Sequence, residues 1–181
     1  MASQSAFVFL IDILFNLYLM VVILRVWLQL VRADFYNPFC QFVVKATHPV
    51  VGPLRRVLPA IGRLDTASLV FALVIACVKV VVLALIAKVP FDALFILMAG
   101  GITLVKEIFS IVFYVLILRA ILSWVSQGYN PIEAVMAQLT EPMLAPIRRI
   151  IPPMGGLDLS MLVLIIALQF LKILLFGGSM F

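Results

Sequence analysis

Histidine occurs once in this chain of 181 residues, at His48, and cysteine twice, at Cys40 and Cys77. A single histidine cannot hold a haem from both sides or build a His-rich metal cage. The cysteines stand far apart and lack a CxxC partner, which argues against a disulfide framework, a zinc site or thioredoxin-like redox chemistry; they read as small apolar residues. No P-loop, GxSxG, HExxH or Gly-rich dinucleotide signature occurs. The expectation is a protein that is not an enzyme and has no catalytic residues, metal or cofactor. Charge is scarce as well, at 12% of residues. The net charge of +5 comes without the dense basic and aromatic interleaving of a nucleic-acid site, so anionic lipid headgroups are the expected counter-charge.

What the chain has in excess is apolar surface. With 66% hydrophobic residues it carries far more than a core of this size can bury, and a bilayer must take the remainder. Four segments approach the roughly 20 residues needed to cross the hydrocarbon. They lie at about 7–31, 66–87, 103–126 and 159–176. The N-terminal MASQSAF has no basic region and no small-residue cleavage pattern, so the first run is expected to stay as a span rather than act as a signal peptide.

The chain also repeats itself. Sliding it by 93 residues aligns 37–65 with 130–158 at eleven identities in 29 positions, among them Thr47 with Thr140, where roughly two are expected by chance. The register continues from Lys79 to Lys172, and a one-residue slip matches VILR ending at Arg25 with LILR ending at Arg119. The fold class is therefore an all-α membrane protein. Four transmembrane helices form two tandem parallel repeats, each a helix, an amphipathic linker and a helix. The first repeat covers 1–88 with its linker at 32–65, and the second covers 103–181 with its linker at 127–158. Residues 89–102, bounded by Pro90, Asp92, Gly100 and Gly101, read as an interfacial or re-entrant connector kinked at the glycines. If that segment crosses instead, the linkers lie on opposite sides and the repeat is inverted.

Seven basic residues fall in the linkers (Arg32, Lys45, Arg55, Arg56, Arg63, Arg148 and Arg149), whereas Lys88 and Lys106 fall on the other side. The positive-inside rule then puts the linkers in the cytoplasm and both termini outside. Each linker opens on a helix-start pair, Asn37–Pro38 and Asn130–Pro131, because an Asn oxygen caps free amides and proline at the first helical position loses nothing. A proline break then separates two amphipathic stretches. The second places Arg55 and Arg56, or Arg148 and Arg149, opposite its apolar stripe, at the level of lipid phosphates. Asp65 and Asp158, just before the second span of each half, suit helix N-termini.

The stretches NPFCQFVVKATHPVVGPLRRVLPAIGRLD and NPIEAVMAQLTEPMLAPIRRIIPPMGGLDLS resemble the paired motifs of the YggT (YlmG) family, over essentially the whole chain, in its two-copy proteobacterial form. The first copy departs from the usual Asp-Leu-Ser ending, reading LDTAS, so the role of that triplet falls to Asp158 and Ser160. The resemblance implies an inner-membrane protein without known catalytic activity. Family members are linked to osmotic-stress tolerance, to envelope or division processes and, in plastids, to cytochrome complex assembly and nucleoid organisation.

Four basic residues lie within the spans. Arg25 and Arg119 are placed to snorkel to the cytoplasmic interface. Lys79 and Lys172 lie nearer the external face, at the depth of Asp12 and Asn16 in the first span and of Glu107 and Ser110 in the third. They are expected either to form a polar layer, Lys79 with Asp12 and Lys172 with Glu107, or to snorkel outward, because an unpaired ammonium in hydrocarbon costs several kcal/mol. Two functions follow. The first is a non-enzymatic scaffold or assembly and stress-tolerance factor that binds lipid headgroups and membrane-protein partners, or a second copy of itself, through its linkers. The other is an oligomeric ion channel or transporter component.

Overall fold

In a computed structural model the chain is described over residues 2–125, 130–151 and 159–177. Those residues form six helices: α1 (Ala2–Leu30), α2 (Pro38–Val57), α3 (Thr66–Ala87), α4 (Ala93–Val125), α5 (Pro131–Arg148) and α6 (Leu159–Phe176). Four helices, α1, α3, α4 and α6, are long and apolar enough to cross a membrane. The helices fall into two compact units, Met1–Leu30 with Val43–Ile108, and Val31–Phe42 with Phe109–Phe181.

In the first unit α1 packs on α3. Neither helix contains glycine or proline, so nothing interrupts their ladders. The α1 face is large, with Leu19, Val22 and Leu28 fully buried, and the α3 face is small, with Ala67, Ala72 and Ala76 equally buried. Small residues at every fourth or fifth position let two backbones approach closely, which inside a bilayer replaces the hydrophobic drive. Tyr18 meets Phe71 edge to face at 6.0 Å. In the second unit the buried residues are Ile111, Val112, Val115 and Leu116 of α4, with Val135, Met136, Leu139 and Leu144 of α5. α6 turns Leu162, Ile166, Phe170 and Leu174, four apart, outward.

Three expectations change. Residues 93–102 are not a separate connector; they are the first turns of α4, which runs for 33 residues without interruption. The helix passes through both glycines, and Gly100 serves packing. A Cβ on Gly100 would stand 2.5 Å from the Cys77 sulfur and 3.1 Å from its Cα, so glycine is what allows α4 to lie against α3 there. Because α4 starts at Ala93, Lys106 lies within a span, leaving Lys88 as the basic residue outside the spans on that side.

The linkers, too, are single helices. α2 runs through Pro49 and Pro53, and α5 through Pro142 and Pro146. All four prolines are on exposed positions. The carbonyls that each proline leaves without an amide partner therefore face outward, where water or headgroups can satisfy them, and the helix survives what would break it in a core.

Candidate functional site

The polar residues of the first unit gather in two places. The larger cluster surrounds Asp65. This residue caps α3 with its carboxylate, accepting from the Ser68 amide at 3.5 Å and the Ser68 hydroxyl at 2.5 Å. A tight turn at Gly62 (φ +63°), closed by paired backbone bonds between Ile61 and Leu64, brings the chain back so that Asp65 also meets α2. There Arg55 donates from Nε to Oδ1 at 3.2 Å and from Nη2 to Oδ2 at 2.5 Å, while Nη2 also reaches Gln29 Oε1 at 2.5 Å. Burial pushes the Asp65 carboxyl up, but the bonds from Arg55 and Ser68 more than offset this and hold it below the usual carboxylate range.

Arg25 of α1 completes this cluster. It does not snorkel; its side chain is 3% exposed. Nη1 donates to Thr47 Oγ1 at 2.7 Å and to the Val44 carbonyl at 3.4 Å, and the Thr47 hydroxyl donates in turn to the Val43 carbonyl at 2.7 Å. Arg25 Nε has no hydrogen-bond partner among the described residues and lies 3.7 Å from Asp65 Oδ2, an electrostatic contact only. One carboxylate and two guanidinium groups thus tie α1, α2 and α3 together.

The second unit repeats part of this arrangement. Arg119 donates to the Thr140 hydroxyl, which donates to the Met136 carbonyl at 2.8 Å. Its acid is Glu141, at 3.4 Å, which also takes Arg148 at 2.9 Å. Asn130 caps α5 by accepting from the Ile132 amide at 2.9 Å, with Pro131 at the first helical position, and Asn37 caps α2 through the Phe39 amide at 2.9 Å. The Asn37 amide also donates to the Pro131 carbonyl at 2.7 Å, joining the two caps. Ser160 is buried at the start of α6; Asp158 lies outside the described residues.

Within the spans, Lys79 Nζ sits 2.8 Å from Asp12 Oδ1 and donates to Asn16 Oδ1 at 2.5 Å, while the Asn16 amide donates to Asp12 Oδ2 at 3.0 Å. Lys172 donates to Ser110 at 3.1 Å. Ser110 stands where Asn16 does in the first repeat, 94 residues on, and the equivalent of Asp12 is Lys106. Glu107 is half-buried in the same stretch of α4.

The structure therefore separates the two arginines of each pair. Arg55 and Arg148 bind carboxylates while remaining 40% and 29% exposed, whereas Arg56 and Arg149 are exposed and make no ion pair with a described residue. Sequence reasoning set both arginines at phosphate level because helical periodicity assigns a face without revealing a partner ten residues further on. It also missed the Arg–Thr pairing, although the signal was present: the repeat marks both Arg25/Arg119 and Thr47/Thr140. The weight placed on Asp158 and Ser160 changes as well, since in LDTAS the serine simply moves one position on and Ser68 still meets Asp65. Among the described residues no group of three or more His, Cys, Asp or Glu side chains gathers to hold a metal ion.

Four apolar spans, two linker helices latched to them by arginine, and a duplicated plan define a helical membrane protein built from tandem repeats. The chain belongs to the CCB3/YggT family, which matches it over residues 4–86 and 98–179. It is 61% identical over 170 residues to a Vibrio alginolyticus protein described as "uncharacterized protein in proC 3'region", covering 92% of this chain and 91% of that one. It is 48% identical over 165 residues to "uncharacterized protein YggT" of Escherichia coli strain K12, covering 91% and 86%. With a Haemophilus influenzae relative it shares 40% over 171 residues, covering 94% and 90%. No solved structure matches the chain.

Proposed function

We propose that the protein is a non-enzymatic scaffold of the bacterial inner membrane, an assembly or stress-tolerance factor, with its linkers in the cytoplasm and its termini in the periplasm. Its linker helices hold lipid headgroups and membrane-protein partners. The observation that carries this reading is the use made of two buried charges, Arg25 and Asp65, together with the exposed Arg55. Arg25, Arg55 and Asp65 are occupied in fixing one helix to another, which makes the linker of the first unit a rigid platform instead of a hinge. The outward row Leu162, Ile166, Phe170 and Leu174 on α6 offers a partner helix, or lipid, a continuous apolar face. Purification from native membranes in a gentle detergent is expected to recover a membrane protein in stable stoichiometry. Recovery of this chain alone, under conditions that keep other complexes intact, overturns the reading.

A second reading, an oligomeric channel or transporter element, is favoured by one feature. The Asp12–Asn16–Lys79 triad adjoins a groove of ≈ 750 Å³ lined by Ser5, Val8, Phe9, Leu83, Ile86 and Ala87 together with Asp12. Salt flux in liposomes holding only this protein, abolished by Lys79→Leu with Lys172→Leu, would support it; wild-type flux in that double variant rules it out.

A further inference from the structure

The stretch of α2 that belongs to the first unit, from Val43 to Val57, has three sectors. One is buried, along Val43, Thr47 and Val51. On one flank stand Val50 and Val57, 40% and 78% exposed. The other flank and the back carry Lys45, His48, Gly52 and Arg56. Lys45 and Arg56 are eleven residues apart (56 minus 45), just over three full turns, so they share a face at a separation of about 16 Å along the axis. Both are exposed, as is His48, and neither Lys45 nor Arg56 makes an ion pair with a described residue. Between them the His48 ring lies over Gly52, where a Cβ would stand 3.2 Å from the imidazole, so the glycine leaves room for the ring to lie along the helix. From Val43 to Asp65 the only carboxylate is Asp65, and Arg55 already holds it.

The counterpart on α5 has lost this chemistry. Ninety-three residues on, Lys45 becomes Gln138, His48 becomes Glu141, Gly52 becomes Ala145, and only Arg56 keeps its charge, as Arg149. Gln138 accepts a backbone bond from Asp34 at 3.1 Å, and Glu141 is occupied by Arg148 and Arg119.

We propose that the Lys45–His48–Gly52–Arg56 face of α2 seats the headgroups of anionic phospholipids, and that the equivalent face of α5 does not. This rests on the lipid-binding part of the reading above and narrows it to one of the two linkers. A phospholipid fits better than a soluble acidic partner because one helix carries a basic face and an exposed apolar flank, with the exposed Ala46, Pro49 and Pro53 between them. That arrangement matches acyl chains beside phosphates.

The test titrates the full-length, detergent-purified protein with phosphatidylglycerol or phosphatidylcholine and reads bound lipid by native mass spectrometry. Wild type is expected to prefer phosphatidylglycerol. Lys45→Gln with Arg56→Gln is expected to weaken that binding about 30-fold, from two cations near an anionic surface, with an unchanged melting temperature in phosphatidylcholine. Arg149→Gln, which removes one cation outside the proposed seat, is expected to change it less than the roughly fivefold that one cation in the seat contributes. His48→Glu, which installs the α5 residue at a single exposed position, is expected to reduce the preference without unfolding. Wild-type phosphatidylglycerol affinity in the double variant or in His48→Glu overturns the proposal. So does displacement of the lipid by polyglutamate at equal charge. Failure to recover a protein partner while the lipid preference persists removes the scaffold reading alone. An undiminished partner with no lipid preference removes this one alone.

Discussion

Thr47 and Asp65 carry the sharpest residue-level consequences. Thr47→Ala takes from Arg25 its one side-chain hydrogen-bond acceptor among the described residues. A hydrogen bond to a charged group contributes roughly 1.5–3 kcal/mol, so a loss of about 2 kcal/mol is expected in denaturant unfolding from detergent. Thr140→Ala should lose less, because Arg119 is more exposed and retains Glu141. Asp65→Asn leaves Arg25 buried beside a neutral group and is expected to cost about 3–5 kcal/mol. The sign of its pH dependence follows from the lowered native pKa. The stabilisation is complete above the ordinary carboxylate value of about 3.9 and is lost as pH falls through the lower native one. Melting temperature followed from pH 7 downward should therefore show an acid limb in wild type that Asp65→Asn lacks. These contacts were only half legible beforehand. The duplication picked out Arg25, Arg119, Thr47, Thr140 and Asp65 one by one, but joining them requires knowing that α2 folds back on α1, which no local pattern encodes.

Among the elements, the linker-helix starts and three of the four spans were read well from short-range chemistry, the third span beginning ten residues earlier than expected: an Asn-Pro pair needs only its own neighbours to cap a helix, and Asn37 and Asn130 both do so. What short-range chemistry misjudged were the breaks. Pro49, Pro53, Gly100 and Gly101 all look like interruptions, and helices pass through every one of them. For the prolines the reason is exposure, and for Gly100 it is the neighbouring helix. The two adjacent glycines should then behave oppositely. Gly100→Ala must push Cys77 aside and is expected to cost about 1–3 kcal/mol as overpacking. Gly101→Ala meets nothing within 4 Å and should gain up to about 1 kcal/mol from helix propensity. Thermal unfolding of both variants in the same detergent provides the comparison, and equal effects would contradict the packing of α3 on α4.

For the whole molecule, the proposed topology, in which all four spans cross, puts both linkers on one side. In a background carrying Cys40→Ala and Cys77→Ala, a cysteine at Arg63 or Gln138 is expected to resist a membrane-impermeant thiol reagent added to intact cells, and one at Ser5 or Lys88 to react. Labelling at Arg63 from outside would reverse the orientation, and opposite outcomes at Arg63 and Gln138 would make the repeat inverted. The architecture was legible at this scale because hydropathy and self-similarity are properties of the whole chain. The divergence between repeats was less so, since Asp12 against Lys106 and His48 against Glu141 acquire meaning only once their neighbours are in place.

The unbroken length of α4 has a mechanical corollary. Its 33 residues span about 50 Å, against a hydrocarbon thickness near 30 Å, whereas α6 with 18 residues spans about 27 Å and falls slightly short. A helix so overlong must lean or project, while a short neighbour resists leaning, so a change in bilayer thickness strains the two in opposite senses. Membrane thinning is therefore expected to change the inclination of α4 before that of α6.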